Sequence, residues 1–144
     1  MKTKILVFFT ITFLVFNFSS CKKEDKEPTK TDLLTKKEWQ FYKSETYDLD
    51  NQFLGNELVD PLYFDFKTDH QLIITDPQDP EDAEIMEWDF NNDKTKIYFI
   101  YPDNNIGESY IIEKLEDQEM ILKEDIYYPV KRKAPTYDKL YFKR

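Results

Sequence analysis

Glycine is almost missing from this chain, occurring only at Gly55 and Gly107. Two isolated glycines cannot form a phosphate-cradling loop, so nucleotide-binding motifs of that kind are excluded. Turns must instead be made with Asn, Asp and Pro. Cysteine occurs once, at Cys21, which excludes a disulfide within the chain and leaves a thiolate metal site without companions. The folded part must therefore be held by packing alone. Histidine also occurs once, at His70, within the turn-like stretch Thr68-Asp69-His70. No Ser or Cys nucleophile can be placed around it from spacing, and the chain reads as non-enzymatic.

Positive charge is scarce: 20 Lys and Arg stand against 29 acids, for a net charge of −9. That balance opposes binding to nucleic acid and to anionic headgroups. The basic clusters Lys131-Arg132-Lys133 and Lys143-Arg144 read as solvated loop and tail charges. Acids alone do not make a metal site. Asp48-x-Asp50-x-Gln52 opens like a calcium loop, but Phe53 holds the sixth position, where glycine is needed, and Val59 the twelfth, where glutamate is needed. The acidic stretch Asp76–Asp82, punctuated by prolines, reads as a solvated loop outside any strand, because proline lacks the ladder donor. No cofactor and no metal are assigned.

Long apolar runs are absent except at the start. Lys2 and Lys4 precede the run Ile5 to Phe16, and Ser19-Ser20 precede Cys21. This is a signal-peptide layout, too short for a span of roughly 20 residues. Ordinary cleavage before Cys21 would put bulky Phe18 where a small residue belongs. Phe18-Ser19-Ser20-Cys21 instead resembles a bacterial lipobox, with Phe18 in the place usually held by Leu. The resemblance implies a diacylglycerol on the Cys21 thiol, cleavage to leave Cys21 first, and an acylated amine. Each buried methylene contributes about 0.8 kcal/mol, so two or three chains anchor stably.

Residues 1–20 are thus expected to be a lipoprotein signal peptide and residues 21–32 the lipidated cysteine with a charged tether. Cleavage removes two lysines and no acid, making the exported chain still more acidic. The tether start Lys22-Lys23-Glu24-Asp25 also resembles export tags that direct lipoproteins of some Gram-negative bacteria to the outer face of the outer membrane. Surface display is the expected location, with a periplasm-facing anchor as the alternative.

The remaining residues, 33–144, are rich in aromatics: 12 Phe, 10 Tyr and 2 Trp make up 17% of the whole chain, more than a disordered segment carries. Their spacing is two, the signature of half-buried strands. Trp39 and Phe41 open the first run, which extends toward Tyr47. Leu33-Leu34 before it are placed to plug one end of the core, and Asp48 to Pro61 reads as a long connection. Phe64 and Phe66 are followed by Leu72 and Ile74; Met86, Trp88 and Phe90 by Ile97, Phe99 and Tyr101; then come Tyr110 and Ile112, Met120 and Leu122, and Leu140 and Phe142. Short turn-rich junctions and the lack of a helical period favour an all-β, antiparallel up-and-down meander of about eight strands. Tyr98, Tyr127, Tyr128, Tyr137 and Tyr141 fall on outer faces or in loops.

Taken together, the order Leu34…Trp39, Phe64-x-Phe66, Leu72-x-Ile74, Trp88-x-Phe90, Ile97-x-Phe99, Tyr110-Ile111-Ile112-x-x-Leu115, Met120-x-Leu122 and Leu140-x-Phe142 resembles the small lipid-anchored lipocalin-like domains of Gram-negative bacteria. Lys37 stands where that family commonly has the glycine of Gly-x-Trp. The resemblance implies an eight-stranded barrel able to hold a small apolar ligand. Eight strands enclose a space that side chains nearly fill. The candidate interior or ligand-mouth residues are Trp39, Phe41, Phe64, Phe66, Trp88, Phe90, Phe99 and Tyr101, and a filled barrel with a shallow mouth is expected. Two functions remain open: a binding module taking a small ligand or an envelope protein, or an interaction subunit of an envelope complex with a packed barrel. The membrane, through the lipid on Cys21, is the third expected partner.

Overall fold

Segments that bury alternate side chains need neighbours on both edges, and here the ladder supplies them by closing on itself. The computed structural model describes residues 27–102, 106–125 and 136–144. The signal peptide, Cys21, Tyr127, Tyr128 and the cluster Lys131-Arg132-Lys133 lie outside the described residues.

A short helix, α1 (Lys30–Thr35), precedes β1 (Trp39–Asp48), β2 (Phe53–Phe66), β3 (Gln71–Asp76), β4 (Asp79–Phe90), β5 (Lys96–Ile100), β6 (Ile106–Leu115), β7 (Glu119–Glu124) and β8 (Thr136–Lys143). Each strand pairs antiparallel with the next, and β1 pairs with β8, giving a closed barrel in sequence order. The all-β meander read from the sequence is therefore the fold. Between Phe41 and Lys43 the register of β1 shifts against both neighbours. Such a bulge bends the strand around the barrel.

Two stretches correct the sequence reading. Asp48 to Pro61 is mostly strand, with only Leu49–Gln52 connecting β1 to β2. The alternation is lost there because this half of β2 buries little: Phe53 is 55% exposed and Leu58 79%. It pairs with β1 along Phe53–Leu58, while pairing to β3 begins only at Tyr63. Likewise Asp79–Asp82 belongs to β4, Pro80 included. Proline is tolerated because it falls within the register shift against β3, and pairing to β5 starts only at Glu87.

With glycine absent from the tight turns, the left-handed positions are taken by Asn51, His70 and Lys94. His70 is kept there by its surroundings. Its ring stacks on Trp88 at 5.0 Å, its carbonyl accepts from the Trp88 backbone N–H at 2.8 Å, and Trp88 Nε1 donates to the Lys67 carbonyl at 3.1 Å.

One end of the barrel is sealed. Helix α1 takes in Lys30–Asp32, which composition alone assigns to the tether, because Thr29 and Asp32 form a reciprocal capping box. The helix drives Leu34 into the barrel end, where it is 1% exposed. Trp39 is fully buried beneath it and donates from Nε1 to the Leu34 carbonyl at 3.0 Å. The Arg144 guanidinium lies 3.8 Å from the Trp39 ring centre and donates to the Leu33 and Leu34 carbonyls. Lys30 and Lys94 clasp the helix to the β4–β5 turn. This floor is closed although Lys37 occupies the glycine position, since Leu34 and Arg144 fill the space over the indole.

The middle is filled with rings. Phe64 meets Phe142 edge-on at 5.1 Å, Phe66 meets Trp88 at 5.7 Å, and Phe99 meets Tyr110 at 5.2 Å. The first two are edge-to-face pairs, which contribute about 1 kcal/mol each beyond the area they bury.

Candidate functional site

Cross-strand partners share a face, so the inward face can be followed beyond the apolar core. Ile74 packs on the core and is paired with Glu84; Phe99 is buried and is paired with Glu108. Both glutamates therefore face inward, at the barrel end opposite α1. There the rings stop short of filling the interior and leave a cleft of about 130 Å³. Its bottom is Phe64, Ile74, Met86, Phe99 and Leu140, and its rim is Glu84, Tyr101, Glu108 and Tyr110.

The rim is held by local contacts. Tyr110 Oη donates to the Glu108 carboxylate. The Tyr101 ring lies over Gly107, in the space that a Cβ there would take. Gly107 has no left-handed backbone, so its role is to admit that ring. Burial, followed by the negative charges of Glu108 and Glu84, pushes the Tyr101 phenol above its ordinary range. Among the described residues Glu84 has neither a hydrogen-bond nor an ion-pair partner.

Of the residues expected inside or at the mouth, the structure brings Phe64, Phe99 and Tyr101 together at this cleft. Trp39, Phe66 and Trp88 are buried toward the floor, and Phe41 and Phe90 are half-buried against the core. Tyr101, 39% exposed, stands at the rim, on the mouth side of the expected set. Glu84, Glu108 and Tyr110 join the site without having been singled out. Their signal was present, because continuing the period of two outward from Met86-Trp88 and from Tyr110-Ile112 reaches Glu84 and Glu108.

Outside the barrel, β1 and β8 carry a polar network. Glu45 accepts from Lys43 at 2.8 Å, Tyr47 at 2.7 Å and Tyr141. These bonds hold its carboxyl down at about 2. Tyr137 stacks on Tyr47 at 5.4 Å and is 2% exposed, so it is not a free surface aromatic. A second pair joins Lys96 to the buried Asp125 at 2.7 Å. Across the floor, a polar depression of about 260 Å³ is bounded by Lys36, Asp117, Lys143 and Arg144. Two of its cations are already engaged: Lys36 pairs with Asp117 at 2.6 Å, and Arg144 is committed to α1. No helix among the described residues is long and apolar enough to cross a membrane. No group of three or more His, Cys, Asp and Glu among them is placed to hold a metal.

The described residues form a small up-and-down β-barrel, plugged at one end and, among those residues, open at an aromatic, acidic mouth at the other. Among solved structures the chain is similar to a lipocalin-like protein from Bacteroides uniformis, at 13% identity and a TM-score of 0.48, over 78% of this chain and 98% of that one. It is also similar to an uncharacterized protein from Bacteroides eggerthii, at 15% identity and a TM-score of 0.46, over 75% and 98%. Both likenesses are of overall shape, and neither bears on what this chain binds. No family model and no curated protein matches the chain.

Proposed function

We propose that this chain is a lipid-anchored, extracytoplasmic, non-enzymatic binding module of lipocalin-like type, which receives a small group in its open mouth. The observation that carries the reading is the gap itself. Toward the floor the core is packed to 0 or 1% exposure at Trp39, Phe66, Leu72 and Phe142, whereas Phe64, Met86, Phe99 and Tyr110 keep 5 to 8% at the cleft. About 130 Å³ is below the usual range for drug-sized ligands, but a cavity of about 150 Å³ accepts benzene. The mouth is thus matched to a single ring or a short chain end.

Anchoring rests on Cys21 and its lipobox-like surroundings, and placement on the outer face of the outer membrane of a Gram-negative cell rests on Lys22-Lys23-Glu24-Asp25. Outward charges at the barrel waist, such as Lys43, Glu45 and Lys139, oppose a lipid-facing band and agree with a barrel held beside the membrane rather than within it.

Two measurements test the reading. Full-length protein in nonionic detergent should gain thermal stability with benzyl alcohol, and Ile74→Trp, which fills the cleft, should abolish the gain. An equal gain in both proteins would eliminate the mouth. For the anchor, Cys21→Ser should release the protein from membranes and remove the acyl mass from the extracted chain.

A second reading, as an interaction subunit, is supported by the exposed Phe53, Leu54 and Leu58 on the half of β2 that has no β3 partner. It requires a patch beyond the few hundred Å² ordinary for monomers. Leu58→Lys should then release a co-isolated envelope protein while leaving the response to benzyl alcohol intact.

A further inference from the structure

Among the described residues the charge at the mouth is one-sided. Phe64, Phe99, Tyr101 and Tyr110 present rings, Glu84 and Glu108 present carboxylates, and no described Lys, Arg or His lines the cleft. Aromatic faces carry negative potential and attract cations within about 6 Å. Glu84 and Glu108 are exposed at the rim, so they pull on a cation as surface carboxylates set beside an apolar wall, a pull that salt screens. Together they form an environment that repels anions and gains from a positive charge at the rim.

The two carboxylates are not equivalent. Glu108 is engaged by the Tyr110 hydroxyl, while Glu84 has no partner among the described residues and is fixed on the inward face by its pairing with Ile74. In the outer network, by contrast, Glu45 is satisfied by three donors. Gly107 supplies an independent sign that the rim is built. It is one of only two glycines in the chain, and its missing side chain admits the Tyr101 ring to the cleft wall.

From this we infer that the mouth selects a small organic cation, a primary or substituted ammonium on a ring-sized apolar body, whose apolar part rests on Phe64 and Phe99 and whose charge sits between Glu84 and Glu108. The inference rests on the mouth reading above and adds the chemical class of the ligand. A free amine and the lysine or N-terminal amine of a peptide share this chemistry. A volume near one ring favours the free amine as a whole ligand, with a peptide entering by its tip alone.

Isothermal titration of the full-length protein in nonionic detergent with benzylammonium, benzyl alcohol and benzoate tests it, with a short peptide carrying a single lysine as a fourth probe. Benzylammonium should bind at least about tenfold more tightly than benzyl alcohol, and benzoate more weakly than either. Glu84→Gln should remove most of that advantage, Glu108→Gln part of it, and added salt should reduce it. Equal binding of amine and alcohol overturns the charge inference and leaves the mouth reading standing. Binding of the amine that persists unchanged in Ile74→Trp places it elsewhere on the acidic surface and overturns both, as does the absence of heat from every probe at millimolar concentration. Tighter binding of the lysine peptide than of benzylammonium overturns the free amine in favour of a protein tip. Gly107→Ala, which must turn Tyr101 away, should weaken the amine severalfold without unfolding the barrel; an unchanged affinity removes Tyr101 from the site.

Discussion

The floor and the mouth of this barrel are made of the same kinds of residue used in opposite ways. At the floor, polar groups are spent on structure: the Trp39 indole N–H and the Arg144 guanidinium both go to carbonyls at the end of α1. At the mouth, rings keep an accessible face, and the Glu84 carboxylate has no partner among the described residues. The difference teaches that stability and recognition are separated along the barrel axis. Substitutions should separate them too.

Trp39→Ala should have the largest effect, a loss of about 4 kcal/mol in urea unfolding, because it empties a fully buried site and strips the ring from under Arg144. Arg144→Ala should follow at about 2 kcal/mol, since two helix-end carbonyls and one indole face lose their cation. Arg144→Lys should recover part of that, because an ammonium keeps the charge without the planar fork.

Between the two ends, Glu45 ties β1 to β8. Its carboxyl sits at about 2 in the fold against an ordinary 4.5. The unfolded chain takes up the proton first, so the stabilisation is full above about pH 4.5 and is lost as the pH falls toward 2. Glu45→Gln should therefore lower stability near neutral pH by about 1 kcal/mol and flatten the acid side of the stability profile, measured by urea midpoints across pH. An unchanged acid slope would remove Glu45 from the account. Smallest of all, Glu84→Gln should leave stability within about 0.5 kcal/mol, because no partner among the described residues is lost. A large loss there would merge the mouth with the scaffold and break the comparison.

Much of this architecture could be read from alternation alone. Trp88, Phe90, Ile97 and Phe99 announce β4 and β5 because one face is buried and the other wet. Strands lose their signature where that contrast fades. The first half of β2 exposes Phe53, Leu54 and Leu58, and the start of β4 carries Pro80 in a place without a ladder partner. Charge misled at α1, where Asp32 serves as a capping residue although it looks like tether. Tyr137 does lie on the outer face, where stacking on Tyr47 buries it. The mouth glutamates were missed for a related reason: an inward acid breaks the apolar pattern that signals an interior position, although its register is unchanged.

The position of α1 has a mechanical consequence. The chain enters the barrel at the plugged end, nine residues after Cys21, and a fully stretched segment of that length reaches about 30 Å. Acyl chains on Cys21, as proposed, would moor the domain by its base, leaving the cleft on the far side to point into the surrounding medium. Any pull along the leash is then borne by Leu34, Trp39 and Arg144, and the opening is spared the load.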